Sequence, residues 1–180
     1  YTPHEIVRAP SWVIGGNEAK GEYVCFLEKD CVLGENYFDQ LLDVFEDKTA
    51  FRKLAMVAPA LGVNSYTKRT YGYTLSPTSN LWPVQQPSST EPYLVQVAYL
   101  PGALIRRSAL GFLAPAKHIR DDSVTACVYF WSHGQRVVLD PNTLYISTDE
   151  SLGETHPLVD SLTKLKADHI MELFKRESIA

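Results

Sequence analysis

Two carboxylates stand on either side of a lysine, directly after a short apolar run of the sequence. The run covers residues 23–27 (Tyr-Val-Cys-Phe-Leu), and the turn that follows, here called the acidic turn, is Glu28-Lys29-Asp30. Open α/β sheets bind ligands beyond the carboxyl ends of their strands. Carboxylate oxygens suit Mg²⁺ and Mn²⁺, which often take one or two of them together with substrate phosphates. Glu28 and Asp30 are therefore predicted metal ligands, and a solvated strand-to-helix turn is the competing interpretation.

A second pair of acids, Asp121-Asp122, stands at the start of a predicted helix. The helix dipole favours negative charge there, and capping alone explains at least one of the two residues. A carboxylate at this position that faces the ligand crevice can also act as a general base. Asp122 and Asp121 are thus candidate catalytic bases, with helix capping as the structural alternative.

The spacing of apolar residues predicts the elements that must position these acids. A strand at 23–27, a helix at 35–47 and a strand at 54–61 follow one another, which implies a parallel crossover. A short helix is predicted within 9–20. The second half of the sequence predicts strands at 93–100, 103–106, 136–139 and 143–146, a helix at 121–133 that ends at Gly134, and a final helix from Pro157 onward.

The length of 180 residues fits one α/β domain, residues 1–180, with a loop-rich insert at 62–92. Proline, serine, threonine and tyrosine are frequent in this insert, and one hairpin is predicted near 71–75. Its conspicuous aromatic residues are Trp82 and Tyr73. Each can stack on a sugar ring through its face, or it can pin the long loop to the core.

Composition and charge argue against several classes of function. The formal net charge is −4, from 17 basic and 21 acidic residues, and no basic stripe of the kind that binds nucleic acid is present. Cys25, Cys31 and Cys127 have no metal-ligand spacing and do not suggest a disulfide framework. The sequence contains no apolar stretch of the length that a membrane-spanning helix needs, no leader and no glycosylation sequon. A cytoplasmic location is therefore favoured.

Three stretches taken in order resemble a known family. Residues 21–30, which include the acidic turn, are similar to the strand and Asp-x-Asp turn of inverting glycosyltransferases with the GT-A fold, especially the large family two. Residues 100–112, which contain Gly102 and Arg106-Arg107, resemble that family's acceptor-side stretch, and Asp121-Asp122 followed by Gly134 resembles its Glu-Asp helix. The resemblance implies a GT-A-like, Rossmann-like α/β fold: a mixed, mainly parallel sheet flanked by helices, truncated at its N-terminus relative to the family.

The same resemblance implies a concrete chemistry. Glu28 and Asp30 would hold a divalent cation, Mn²⁺ or Mg²⁺, against the diphosphate of a nucleotide-sugar donor. Asp122 or Asp121 would take the proton from a hydroxyl of a carbohydrate or glycoconjugate acceptor, and the sugar would be transferred with inversion. Gly102 would let the backbone approach the substrates.

The resemblance also divides the chain. Residues 1–61 would form the donor and metal half, 93–156 the acceptor half and 157–180 a C-terminal helix, and the insert with Trp82 and Tyr73 would help to shape the acceptor site. Two alternatives stay open at this point. One is a catalytically inactive accessory or binding domain of the same fold. The other is a metal-dependent α/β hydrolase in which Glu28, Asp30, Asp121 and Asp122 converge on a metal.

Overall fold

The computed structural model describes residues 5–9, 12–47, 49–75, 81–112, 119–153 and 169–176. The helices are α1 (Trp12–Glu18), α2 (Tyr37–Glu46) and α3 (Ile119–Ser132), and residues 169–176 are also helical. The strands are β1 (Tyr23–Cys25), β2 (Val32–Leu33), β3 (Leu54–Val63), β4 (Arg69–Thr70), β5 (Tyr73–Leu75), β6 (Leu81–Pro83), β7 (Tyr93–Leu94), β8 (Leu104–Arg106) and β9 (Arg136–Ser147).

The centre of the sheet is the parallel pair of its two longest strands, β3 and β9. Their register runs from Leu54 opposite Arg136 to Val63 opposite Ser147. Nine of the ten β3 residues are buried, as is typical of a parallel strand that is covered on both faces. This ladder fixes the frame on which the shorter strands and the candidate site are arranged.

The remaining strands of this sheet pair antiparallel around the central ladder. Within the described residues the strand order is β1-β8-β3-β9-β2, with β4 added to β3 and β7 added to β9. Strands β1 and β3 run in the same direction, as the predicted crossover requires, but β8 lies between them and is antiparallel to both. The predicted class of a mixed α/β sheet flanked by helices is confirmed, and its parallel character is concentrated in β3 and β9.

Helices α2 and α3 supply the apolar side chains that cover this sheet. On α2, the predicted face is buried at Leu41 and Phe45 and only half-buried at Phe38 and Leu42. On α3, Val124, Ala126, Cys127, Val128, Phe130 and Trp131 are buried. Helix α3 ends at Ser132, one residue before the predicted end, and the predicted stop Gly134 follows with a φ of 73°, the left-handed conformation that glycine accepts without steric cost.

The insert is more ordered than its composition suggests. Strands β5 and β6 form a separate two-stranded sheet, in which Thr74 pairs with Trp82. Hydrogen bonds join it to the rest of the protein: the Tyr73 amide donates to the Val97 carbonyl at 2.8 Å, the Val97 amide donates back to the Tyr73 carbonyl at 3.1 Å, and the Leu75 amide donates to the buried Gln96 side chain at 2.6 Å. The predicted hairpin therefore exists, with its first strand at 73–75.

Three predicted strand boundaries are wrong. Only Tyr93–Leu94 of the predicted 93–100 strand pairs as β7. The predicted strands at 136–139 and 143–146 form one strand, β9, which carries an irregularity where its pairing passes from Asp140 to Leu144. The Asp140 carboxylate accepts hydrogen bonds from Thr143 and from the Asn142 amide there, so side chains satisfy the polar groups of the predicted turn without ending the strand. Strand β2 was not predicted.

The C-terminal prediction falls partly outside the described residues. Pro157, Leu158, Leu162 and Leu165 lie there, so a helix beginning at Pro157 stays a prediction. Ile170 is fully buried, and the ring of Phe174 meets that of Trp131 edge-on at 5.6 Å. Among the described residues, no helix has the length and apolar character needed to cross a bilayer.

Replacing Leu41 by alanine should test which face of α2 is buried in the core. Leu41 has no exposed surface, so Leu41→Ala should lower the free energy of unfolding by roughly 2 to 5 kcal/mol. Leu42 is half-buried on the same helix, and Leu42→Ala should cost clearly less. Urea denaturation of both variants provides the measurement, and equal losses would contradict the packing described here.

Candidate functional site

The acidic turn begins where β1 leaves the sheet. An isolated parallel bridge joins Phe26 to Pro101, and Leu27 beyond it is exposed. The next residue, Glu28, is half-buried and turns its carboxylate toward the end of β9. The structure thus places Glu28 at the carboxyl ends of β1, β3 and β9, the edge of the sheet that the sequence predicted for a site.

Two hydroxyl groups of β9 hold the Glu28 carboxylate. Tyr145 donates to Glu28 Oε2 at 2.9 Å, and Ser147 donates to Glu28 Oε1 at 2.9 Å. The Tyr145 hydroxyl oxygen also accepts a hydrogen bond from the Glu28 amide at 3.2 Å. Both carboxylate oxygens and the backbone of Glu28 are therefore fixed by the same strand, in an arrangement called here the Glu28 clamp (Glu28, Tyr145 and Ser147).

Electrostatics keep the Tyr145 hydroxyl in its donating form. Burial raises the pKa of Tyr145 well above its ordinary range, and the negative charge of Glu28 raises that pKa further, although the hydrogen bond from the Glu28 amide opposes the shift. A neutral phenol can donate a hydrogen bond to the carboxylate, whereas a negatively charged phenolate would repel the carboxylate. Tyr145 is therefore a hydrogen-bond donor to Glu28 at neutral pH.

The two acids of the turn differ in environment. Asp30 and Lys29 are exposed, in contrast to Glu28. Within the described part of the chain, no three His, Cys, Asp or Glu side chains lie close enough together to hold a metal ion. Glu28 and Asp30 still offer two carboxylates as oxygen ligands. Mg²⁺ and Mn²⁺ often bind one or two protein carboxylates when phosphate oxygens supply further ligands. The residues present fit a cation that arrives with a diphosphate, and not a closed metal centre built from protein alone.

Gly102 lies beside the Glu28 clamp. Its amide donates to the Phe26 carbonyl at 2.8 Å, and its own carbonyl accepts a hydrogen bond from the buried Tyr37 hydroxyl. With a φ of 78°, Gly102 presents its α-carbon to the Tyr145 ring, and a β-carbon there would lie 2.5 Å from Tyr145 Cδ2. The glycine is buried, and its close approach is to Tyr145 and Tyr37.

The backbone of the second acidic pair is close to the same region. Asp121 and Asp122 lie in the first turn of α3, and their side chains fall outside the described residues. The next residue, Ser123, is fully buried, and its Oγ accepts a hydrogen bond from the Leu100 amide at 2.8 Å. Since Leu100 precedes Pro101-Gly102, this bond ties the start of α3 to the segment that contacts β1.

The two aromatic residues of the insert face opposite ways. Tyr73 is buried, and its ring meets that of Tyr99 with centroids 5.0 Å apart. Trp82 pairs with Thr74 in the next register position and is 59% exposed. The alternation of a strand thus assigns Tyr73 to the core and leaves the Trp82 ring available to solvent. The cavity beside Tyr73, Tyr99 and Pro101 measures about 10 Å³, room for one water molecule.

Sequence reasoning missed Tyr145 and Ser147. They are the second and fourth residues of the sequence Leu144-Tyr145-Ile146-Ser147, so period-two spacing places them on one face of β9. That pattern could have marked two hydroxyl groups at the end of a strand. Nothing in it could have shown that the strand ends beside Glu28, because this proximity depends on the register of β9 with β3.

Removing the Tyr145 hydroxyl should loosen the clamp. Tyr145→Phe leaves the Glu28 amide and one carboxylate oxygen without a protein partner, so the free energy of unfolding should fall by about 1 to 3 kcal/mol. Tyr66, whose side chain is 63% exposed, is the matched control. Tyr66→Phe should change the free energy of unfolding by less than about 0.5 kcal/mol. A double-mutant cycle with Glu28→Gln, followed by urea denaturation, should show coupling, and purely additive losses would mean that the contact contributes nothing.

Substituting Gly102 should separate steric overlap from backbone strain. Gly102→Ala adds a β-carbon that overlaps Tyr145 and Tyr37, and should cost roughly 2 to 5 kcal/mol of unfolding free energy. Gly134 has a similar φ of 73° with no atom within 4 Å of an added β-carbon, so Gly134→Ala should cost only about 1 to 2 kcal/mol from strain. Thermal unfolding of both variants measures the difference, and a Gly102 variant as stable as the Gly134 variant would contradict the overlap.

Comparison with known proteins identifies the fold. No protein-family model matches the chain, and no curated protein matches it either. Among solved structures, a crystal structure of GalNAc-T7 with UDP, GalNAc and Mn²⁺ superimposes with a TM-score of 0.57 at 17% sequence identity. The match covers 88% of this chain and 33% of that one, so this chain spans about a third of the length of the structure it matches. This likeness shows that the chain has a GT-A-like α/β fold.

Proposed function

We propose that this chain is a glycosyltransferase, or a part of one, that transfers a sugar with inversion and with the help of a metal ion from a nucleotide-sugar donor to a hydroxyl of a carbohydrate or glycoconjugate acceptor. The observation that supports this function best is the Glu28 clamp, which fixes a carboxylate at the carboxyl ends of the central strands in a GT-A-like fold. In this proposal residues 1–61 serve the donor and 93–156 serve the acceptor.

On the donor side, Glu28 and Asp30 face the diphosphate and hold a divalent cation together with it. The cation, Mn²⁺ or Mg²⁺, neutralises the negative charge of the leaving diphosphate when it is bound. GalNAc-T7, the structural neighbour, was crystallised with UDP, GalNAc and Mn²⁺. The contribution of this chain is orientation, because Tyr145 and Ser147 prevent Glu28 from swinging away from the ligand.

On the acceptor side, Asp122 or Asp121 is the proposed base that takes the proton from the attacking hydroxyl. A base on the face opposite the diphosphate gives inversion at the anomeric carbon, as the resemblance to family two implies. Trp82, with its exposed ring, is the proposed stacking surface for an acceptor sugar. Tyr73 supports the same hairpin from the core, and Gly102 lets the backbone approach Tyr145 beside the Glu28 clamp.

One observation favours a second candidate, an accessory domain that binds a nucleotide or sugar without transferring it. Both Glu28 oxygens already accept protein hydrogen bonds, and the described residues contain no cluster of three metal-binding side chains. Because protein donors already satisfy both oxygens, the clamp is stable without a cation, which is compatible with a domain that transfers no sugar. Binding and transfer therefore need separate measurements.

Calorimetric titration with nucleoside diphosphates should test the donor site. UDP, GDP and ADP would each be added with and without Mn²⁺, and at least one should bind in a manner that depends on the metal. Glu28→Gln and Asp30→Asn should each weaken that binding about tenfold or more. Asp43 is an exposed acid on α2, so Asp43→Asn removes the same charge as a control and should leave binding unchanged.

The proposed donor site is wrong if no nucleoside diphosphate binds, or if the Glu28 and Asp30 variants bind as well as the Asp43 variant. Where binding is metal-dependent, proton NMR of the corresponding nucleotide-sugar decides between the two candidates. Release of the sugar or its transfer to an added acceptor, abolished in a variant with Asp121→Asn and Asp122→Asn, supports the transferase. Binding without turnover supports the accessory domain.

A further inference from the structure

A second site candidate lies at the opposite end of the sheet from the acidic turn. A surface groove of about 320 Å³ is lined by Phe45, Phe51, Arg52, Lys53, Leu54 and Arg106; it is called here the basic groove. Leu54 starts β3, whereas Glu28 lies near the end of that ten-residue strand. Glu28 follows Tyr23, the strand partner of Arg106, by five residues, so a rise of about 3.3 Å per residue places the Glu28 clamp roughly 15 to 20 Å from Arg106, and the two sites share no residue.

Arg106 is a preorganised cation in this groove. Its guanidinium group stacks on the rings of Tyr23 and Phe45, 5.5 Å from each centroid. Its Nε donates to the Leu54 carbonyl at 3.2 Å, and one terminal nitrogen contacts Glu22 at 3.3 Å. These contacts fix the plane of the guanidinium group but use only part of its five N–H donors. The remaining donors can form bidentate hydrogen bonds with an oxyanion.

Two further cations, Arg52 and Lys53, line the groove. Arg52 and Lys53 are exposed, and neither side chain has a hydrogen bond or ion pair with another residue of the described ranges. Lys53 has a φ of 55°, which is uncommon for a residue other than glycine, asparagine or aspartate. The Arg136 amide holds it there through a 2.9 Å hydrogen bond to the Lys53 carbonyl. Lys53 directly precedes Leu54, the first residue of β3, so this turn keeps Lys53 beside the groove.

The floor of the groove is apolar and the chain around it is acidic. Phe45 is buried and Phe51 is half-buried, while the whole chain carries a formal net charge of −4. The acids nearest to the groove are Glu22, which contacts Arg106, and Glu46 and Asp47, which follow Phe45 in the chain; none of these three acids lines the groove. The site thus combines local positive charge with an aromatic surface, and its volume is at the lower end of the range for small-molecule pockets.

We propose that the basic groove binds a small molecule in which an oxyanion, a phosphate or carboxylate, is attached to an apolar body. The oxyanion would pair with Arg106, Arg52 and Lys53, and the apolar body would lie against Phe45 and Phe51. This site is separate from the Glu28 clamp and does not depend on the proposed transferase function. Neither half of the ligand is sufficient alone, because the cations are solvated and the aromatic floor is small.

Amide chemical-shift titrations of the full 180-residue chain test this with phenyl phosphate as the probe. Saturable shifts should appear at groove residues such as Phe51 and Leu54. Inorganic phosphate and benzyl alcohol should each bind at least about tenfold more weakly. Phenylacetate distinguishes the two oxyanions, since equal binding indicates a general oxyanion site and weaker binding indicates preference for phosphate.

Charge-removing variants supply the control. Arg52→Gln combined with Lys53→Asn removes two charges, and asparagine tolerates the positive φ. This variant should bind phenyl phosphate at least about tenfold more weakly. Lys68→Gln combined with Arg69→Gln makes the same charge change at exposed residues outside the groove and should bind as the unmodified chain does. The proposal fails if the groove amides show no saturable shift, if benzyl alcohol binds equally well, or if the two double variants lose affinity equally.

Discussion

The half-buried carboxylate of Glu28 depends on two hydrogen bonds from β9, and the Glu28 amide makes a third bond to the same strand. A charged group removed from water is costly unless donors replace the lost solvent, and here Tyr145 and Ser147 supply them. The same bonds tie the end of β1 to a strand that is not its neighbour in the sheet. The requirement to pair one charge therefore fixes the exit of β1, the conformation of the acidic turn and the position of Tyr145 against Gly102.

The clamp is rigid because β9 is held along most of its length by β3. Nine residue pairs register the two strands, and Tyr145 and Ser147 sit in the last part of that ladder, opposite Leu61 and Val63. The Ser147 carbonyl also accepts the Asn64 amide at 2.9 Å, and its hydroxyl oxygen accepts the Asp149 amide at 3.0 Å. A carboxylate supported in this way loses little freedom on binding a ligand, which is the general benefit of preorganisation.

The sequence predicts the local elements well and the pairing between them poorly. Apolar periodicity locates β1, α2, β3 and α3 because each carries its own pattern of burial. It could not place β8 between β1 and β3, since three residues of strand contain no information about which edges they join. Trp82 and Tyr73 were both identified as notable aromatic residues, but only their strand register separates the exposed ring from the buried one.

The short strand β8 links the Glu28 clamp to the basic groove because it is antiparallel to both of its neighbours, β1 and β3. Its antiparallel direction brings Gly102, just before the strand, to the carboxyl end of β1, and Arg106, its last residue, opposite Tyr23 at the start of β1. A slip of one residue would reverse every side chain of β8, exposing the fully buried Ile105 and burying Arg106. The stacking of Arg106 on Tyr23 and Phe45 opposes that slip. The same register thus sets the approach of Gly102 to Tyr145 beside the Glu28 clamp and the fixed cation of the basic groove.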